Sequence, residues 1–508
     1  PFTNMSASKD DEYFSDGITE DILTQLSKIS ELRVISRTSV MKYKNSNLTI
    51  PEIARELGAG SILEGSVRRS GNKVRITSQL INTTSDEHIW AETFDRKVDD
   101  IFEVQSEIAK QIAHELEAQL APKEEIMLNI RPTNNIEAYA FCLKGREYAL
   151  KYTDEDNEKA IEFYKKALEI DSNYALAYAS LASAFDQKMR RYFYPEEWRD
   201  SAIYMSTKAL LLDPNLAEGH SSLAKSYEAN GDYKSAKYHY EEAIRLNPNY
   251  YAAIYNLGVV YFNDNKLDKS YRLIKNSIPL EPHNVFGYIV LGGIFQKFNC
   301  DNLAIKWFKK ALDLDPENLL ARIYLVDQYI LMNDLEKAEK HFNDLVTISP
   351  DWAYGLSLGA KLEMFKKNYM KSIKYLDKYF RSTQSEKEYD YGYVLIKLNK
   401  IKEAKSLLER EEKNYLDEIE SSPNGSGSNE NNLANIYAIL GNKQKALLWL
   451  NKAVSKGWIE YRQNIVYPYM DSLKSDKEFQ SLIKLMKANT ESIKVLAINE
   501  DPYWDECD

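Results

Sequence analysis

Ahead of residue 120 the apolar positions change period several times. Ile18, Ile22, Leu23 and Leu26 stand at helical spacing behind Asp16-Gly17, with Asp16 as the expected cap and Glu20 near the first turn. Residues 32–36 (Leu-Arg-Val-Ile-Ser) predict a short strand, and residues 50–57 a helix with Pro51 in its first turn. Apolar and polar side chains alternate over 61–68 and 74–81 on either side of Ser70-Gly71-Asn72-Lys73, which predicts a hairpin. Residues 88–94 give a third extended piece, and Ile101, Ile108, Ile112 and Leu116 mark an amphipathic helix. Two helices ahead of a meander make this a compact α/β or α+β unit.

From residue 137 the pattern becomes helical and repeats. Pro214, Pro248, Pro282, Pro316 and Pro350 recur at one constant interval. A proline at that place ends one helix and sets the turn to the next. Within the same frame, small residues flank an aromatic: Ala236, Tyr240 and Ala243, then Ala304, Phe308 and Ala311, then Ala338 and Phe342. A Leu-Ala or Leu-Gly pair recurs at 223–224, 257–258 and 291–292, with Tyr227, Tyr261, Phe295 and Tyr329 just behind. This interval and these positions resemble the tetratricopeptide repeat, whose units stack because none buries its apolar face alone. Weaker copies extend the array on both sides. Ala160, Tyr164 and Ala167 mark one, Leu181-Ala182 and Ala209 a second, and Leu433-Ala434, Tyr437, Ala446 and Ala453 the last. The expected superhelix spans 137–486 in about nine repeats, with an insertion near 189–198 and a flexible Ser/Gly-rich loop at 421–430. Residues 487–508 are expected to form an acidic C-terminal extension, solvated at its tip.

The N-terminal unit, residues 1–122, carries its own resemblance. The strings Tyr-Phe-Ser-Asp-Gly-Ile-Thr-Glu-Asp at 13–21, Arg-Val-Ile-Ser-Arg-Thr-Ser at 33–39, Leu-Glu-Gly-Ser-Val-Arg-Arg at 63–69 and His-Ile-Trp-Ala-Glu at 88–92, with Asp-Ile-Phe at 100–102, occur in this order. Together they resemble the TolB amino-terminal-like (FlgO-related) domain of bacterial multidomain proteins. Family members begin with an apolar strand just before the Pro-Phe, so the first strand is expected to be truncated here and to leave an open edge. Residues 122–136, with Pro122, Pro132 and an Asn-Asn pair, are the expected boundary. The fold expectation is therefore an α/β N-terminal domain followed by an all-α solenoid, predominantly helical overall.

The net charge of −11 disfavours a nucleic-acid partner for this segment, because phosphate binding needs a basic face. Cys142, Cys300 and Cys507 form no CxxC pair, and neither a disulfide framework nor a zinc site follows from them. The six histidines form no HxxxH or HExxH motif, and no Walker loop or GxSxG occurs. No cofactor, metal or catalytic residue is expected, and the chain is read as non-enzymatic.

The tetratricopeptide resemblance assigns residues of each inner helix to a concave groove. Carried onto this sequence they are Tyr255, Asn256 and Phe262, then Phe286, Ile289 and Val290, then Ile323, Tyr324 and Asp327, then Tyr354, Leu358, Lys361 and Met364, a floor expected to be aromatic and aliphatic with few charges. Such a floor suits a peptide or protein segment, with the aromatics as anchors; packing among repeats is the alternative role for these residues. The expected function is a protein-interaction scaffold. The alternative is a sensory or regulatory module of a larger membrane-anchored bacterial signalling protein, whose cyclase or winged-helix output domain lies upstream of residue 1. The expected location is bacterial: periplasmic if the chain is anchored, cytoplasmic otherwise. Partner identity, oligomeric state and small-ligand binding by the N-terminal domain stay open.

Overall fold

The computed structural model describes residues 1–8, 11–192, 197–386, 388–421, 425–498 and 506–507. It is predominantly helical and carries an α/β portion ahead of a helical array. The chain forms two compact units, the first Pro1–Leu257 with Asn276–His283, the second Gly258–Lys275 with Asn284–Asp508. No helix among the described residues is long and apolar enough to cross a membrane.

In the first unit, a sheet in the order β1-β2-β3-β4 is built from Thr3–Asn4, Ser61–Ser70, Lys73–Asn82 and Glu87–Lys97. Strands β2 to β4 form an antiparallel meander, and β1 pairs in parallel with β2 at Ser66 and Val67 only. Gly71, at a φ of +58°, supplies the left-handed residue that the two-residue turn between β2 and β3 requires. Along β3 the side chains alternate, so Val74, Ile76 and Leu80 are buried, while Arg75 stays outside and pairs with Asp95 at 2.7 Å. Helix α1 (Glu12–Ser27) is followed by the shorter α2 (Arg37–Met41) and α3 (Ile50–Leu57), and α4 (Ile101–Glu115) follows the sheet. Helices α1 and α4 share the core with the strands through Phe14, Ile18, Ile22, Val104 and Ile108.

Two sequence expectations change here. Asp16 does not cap α1, which begins at Glu12; it lies inside the helix and accepts from Lys44 Nζ at 2.6 Å. Residues 32–36 are not a strand. Their backbone bonds to the repeats instead: Val34 N donates to Asn249 Oδ1 at 3.3 Å and Ser36 N to the Leu280 carbonyl at 2.8 Å. An extended segment can satisfy its amides on a neighbouring turn as well as in a ladder, and the periodicity is the same in both cases.

Nine successive helix pairs run from Ile136 to Ser455 among the described residues. Each junction within a pair is set by backbone chemistry. Gly231, Asn265, Asn299, Asn333 and Lys367, spaced like the prolines, all take positive φ just past the first helix of their pair. That is the left-handed C-terminal cap, which glycine adopts freely and asparagine tolerates. Asp232, Asp334 and Asn442 then cap the next helix with their side chains. Where the two helices cross, Gly292 lies so close to Phe308 that a Cβ would sit 2.5 Å from its ring. Ala236, Tyr240, Ala243, Ala304, Phe308 and Ala311 are all fully buried. Small residue against aromatic is thus the packing unit of each repeat.

The α/β portion and the first repeats share one compact unit, which runs past residues 122–136 and the helix α5 (Pro122–Leu128) within them. Tyr139 and Leu143 of α6 (Ile136–Ala149) lie in the α/β core. Arg146 Nη1 meets Asp21 Oδ1 at 2.8 Å, and the Tyr139 hydroxyl donates to the same carboxylate. The Asn249 amide donates to the Ser27 carbonyl at 3.1 Å and that of Leu32 at 2.8 Å. Glu281 accepts from Ser39 at 2.7 Å and from Ser36.

The first unit also holds a histidine pair, His220 Nδ1 to His239 Nδ1 at 2.9 Å, with the His220 Nε2 on the Pro214 carbonyl at 3.1 Å. Burial, helped by His220, pushes the His239 pKa from 6.5 down to about 4. As pH falls below 6.5 the unfolded chain takes up this proton first, so stability declines until about pH 4, where the folded chain takes it up too. His239→Gln is expected to remove about 1–2 kcal/mol of that acid-side loss after screening. Thermal melts of both proteins between those pH values check it; identical slopes would refute the assignment.

The insertion near 189–198 falls partly outside the described residues, whose helices here end at Tyr192 and resume at Glu197. The 421–430 loop likewise contains residues 422–424, which lie outside them, between helices Ile401–Ser421 and Ser428–Ile439. The C-terminal extension differs from expectation: helix Lys477–Ile498 occupies its first half. Residues 506–507 are tethered although Glu506 stays exposed: Glu506 meets Lys306 at 2.7 Å and Cys507 is disulfide-bonded to Cys300 with Cα atoms 4.6 Å apart. The cysteine spacing of 207 residues gave no hint of that pairing.

Candidate functional site

The inner helices of the second unit present the positions assigned to the groove, and their surroundings differ from one to the next. Ile289 and Leu358 are buried, at 2% and 5% exposure. Phe286 and Tyr354, in the first turns of helices Val285–Lys297 and Ala353–Phe365, are exposed at 48% and 65%. Tyr354 leans edge-on against Trp352 at 5.5 Å. Tyr324 stacks on Phe308 at 5.5 Å, and Phe262 lies under the Lys297 ammonium at 5.0 Å. Gly293 is the close-approach point between them; a Cβ there would meet the Phe262 ring at 3.0 Å and Tyr324 at 3.9 Å. Tyr255 and Asn256 belong to the first unit, where Tyr255 stacks on Tyr251 at 5.7 Å. The structure therefore gathers Phe262 and Tyr324, leaves Phe286 and Tyr354 open, and packs Ile289 and Leu358 away.

Residues 460–469 of the same chain run along these inner positions. Lys297 Nζ, which also donates to Asn265 Oδ1 at 2.7 Å, holds Glu460 Oε1 at 2.5 Å. Arg462 forks onto both oxygens of Asp301, one bond being 3.0 Å, and Gln328 donates to that carboxylate at 2.7 Å. A bidentate guanidinium–carboxylate pair fixes orientation as well as distance. The Tyr467 hydroxyl accepts from Lys361 Nζ at 3.0 Å and donates to Asp327 Oδ1 at 3.3 Å, and its ring meets Phe365 edge-on at 5.4 Å. Tyr469 donates to Asp390 Oδ1 at 2.6 Å between the rings of Tyr389 and Tyr393.

Burial governs the electrostatics. It works to lower the Lys361 pKa, but Asp327 and Tyr467 beside it outweigh that and hold the ammonium well above its usual range. Asp390 moves the other way: burial raises it, only partly opposed by the Tyr469 hydrogen bond and the Lys361 charge. Asp327 and Lys361 occupy the same position in consecutive repeats, and one tyrosine bridges them. The arrangement holds residues 460–469 of this chain through paired charges and aromatic rings. Among the described residues no group of three His, Cys, Asp or Glu side chains could hold a metal ion.

The floor expected to carry few charges instead has Lys297, Asp301, Asp327, Lys361 and Asp390 engaged by Glu460, Arg462, Tyr467 and Tyr469, none of which the sequence reading placed there. The aromatic cluster around Pro468, in a stretch without repeat residues, was the available signal. Nothing local in it names acidic or basic partners 161 and 163 residues away.

Sequence profiles of the Tetratricopeptide repeat match residues 138–174, 217–250, 239–271, 302–362 and 431–455, so the chain carries tetratricopeptide repeats. A "Putative adenylate cyclase 3" of Rhizobium meliloti (strain 1021) is 42% identical over 182 residues. That alignment takes in 36% of this chain and 31% of the relative, so the chain spans about a third of that protein's length. Among solved structures, a human IFIT1 dimer with m7Gppp-AAAA is 16% identical at a TM-score of 0.42, covering 70% of this chain and 77% of that one. YrrB, described as a TPR protein with an unusual peptide-binding site, is 21% identical at 0.31, covering 38% and 95%.

Proposed function

We propose that the repeats are a non-enzymatic scaffold that holds a peptide or protein segment on the inner face of the second unit. The observation that supports this reading most is that the face holds a polypeptide segment already, its own residues 460–469, through Arg462, Glu460 and Tyr467. Phe286 and Tyr354 are the open anchors left for a partner, and aromatic anchors dominate binding when a partner buries them. Replacing both by alanine is expected to lower partner recovery in a pull-down about tenfold. The folded fraction should not change, because neither ring is buried. Equal recovery by the variant would remove these residues from the site.

A second reading is favoured by the resemblance to the cyclase-named relative. In it, residues 1–122 are a TolB amino-terminal-like domain, and domain and repeats together regulate an output domain of a larger membrane-anchored bacterial protein. The Cys300–Cys507 pairing suits an oxidising compartment, so the periplasmic side is the proposed location. Reading the coding sequence ahead of Pro1 tests this: a cyclase or winged-helix domain followed by a membrane span supports it, and a bare start removes it. Thiol labelling in intact cells, with Cys300 and Cys507 reactive only after reduction, tests the location.

A further inference from the structure

Helix α1 and the residue after it carry Asp21, Thr24, Gln25 and Lys28 on one face, at the i, i+3, i+4 and i+7 spacing. All four line a cavity of about 320 Å³ inside the first unit. Its other walls are the turns at 173–176, 212–218 and 246–247 that end the second helices of successive pairs, with Met127, Ile130, Leu176, Leu216 and Leu246 as its apolar part. Five charged side chains face it: Asp21, Lys28, Arg131, Asp213 and Glu218.

Three of those five are already engaged. Asp21 is paired with Arg146 at 2.8 Å, Arg131 is paired with Glu103, and Asp213 closes its turn by accepting from Asn215 N at 2.9 Å. Lys28 and Glu218 remain. Among the described residues the Lys28 ammonium reaches only neutral oxygens, Gln25 Oε1 at 3.0 Å and the Met127 carbonyl at 3.4 Å. Neither Lys28 nor Glu218 forms an ion pair among the described residues, although the Glu218 charge acts on Lys28. Burial lowers the Lys28 pKa, opposed by the charges of Glu218, Asp213 and Asp21, which is the state of an ammonium short of a counter-ion.

We propose that this cavity binds a free α-amino acid with an apolar side chain, its carboxylate on Lys28 and its ammonium on Glu218. A plain anion satisfies Lys28 but meets Glu218 and Asp213 as like charges. A plain cation leaves the half-buried Lys28 without a counter-ion, which is costly. A zwitterion answers both, and the leucine, isoleucine and methionine wall receives its side chain. The volume lies at the small end of the range for ligand sites, matching one amino acid and excluding a folded partner.

The test uses the full 508-residue chain, with L-leucine, L-methionine and L-phenylalanine as probes in thermal shift and calorimetry. Isoamylamine and 4-methylpentanoate, which each lack one charge of leucine, serve as controls. At least one amino acid is expected to raise Tm by about 3 °C at saturation. The matched amine and acid are expected to bind at least about tenfold more weakly. Lys28→Met and Glu218→Gln should each abolish the shift, Lys28→Arg should keep part of it, and Tyr354→Ala should leave it unchanged. Should Lys28→Met fail to fold, Glu218→Gln decides. No shift with any probe, equal binding of 4-methylpentanoate, or a shift that survives Glu218→Gln overturns the proposal. A shift lost in Tyr354→Ala overturns it as well, since that residue belongs to the peptide face and not to this cavity.

Discussion

Replacing Phe308 by alanine is expected to cost about 3–5 kcal/mol. The ring is fully buried, and it fills the space that Gly292 leaves open while stacking on Tyr324. Nothing in a helix pair built on a small residue against an aromatic can move in to close the hole. Repeat arrays gain their stability from neighbour to neighbour, so the damage should be local. Hydrogen exchange is expected to quicken over 285–331 and stay near wild type in the first unit. Uniform quickening along the chain, or a loss below about 1 kcal/mol, would contradict the packing account.

Removing Arg146 should be nearly as damaging, at about 3 kcal/mol for Arg146→Ala. Its guanidinium is the positive partner of Asp21, at 2.8 Å, with Glu20 at 3.6 Å. Both Arg146 and Asp21 side chains are about 15% exposed, so little water replaces the missing charge. Tyr139 and Gln105 would be left to hold Asp21. Because α1 lies in the α/β portion and α6 opens the first helix pair, the loss should appear as separation of the two in limited proteolysis near 122–136. Asp21→Asn combined with Arg146→Met should cost less than the sum of the single changes, since the pair fails as a unit. Strict additivity would show that the two residues act independently.

Much of the fold was legible because it is written locally. Strands 61–68 and 74–81 with their Gly-Asn turn became β2 and β3, each slightly longer than its alternating stretch. Ala236, Tyr240, Ala243 and Phe308 took their places in the helix crossings, because a strictly kept period forces the same environment on each copy. The asparagines at 265, 299 and 333 were not singled out from the sequence, although a residue type that tolerates positive φ after each inner helix was the available signal. Residues 32–36 show the limit. Extended backbone was visible there, but its partner Asn249 lies 215 residues from Val34. Leu280, which accepts from Ser36, is farther still along the chain.

The candidate site divides in the same way. Asp327, Lys361, Phe286 and Tyr354 could be placed on inner helices from the repeat frame alone, since a helix position is fixed by counting. Whether such a position is open, buried or occupied is not fixed by counting. Ile289 and Tyr354 have the same sequence warrant, yet one is 2% exposed and the other 65%. Lys361 is covered by Tyr467, 106 residues downstream, and Cys300 is bonded to Cys507 across 207. The repeat unit, its period, its turns and the small-against-aromatic crossing could be read off the residues, because all follow from interactions within about one repeat length. The tertiary structure decided what lies on the inner face, which anchors stay open, and how α1 meets the first repeats to enclose Lys28 and Glu218. Those outcomes depend on charges and rings brought together by chain return, and the energy of such a meeting is carried by no single stretch of residues.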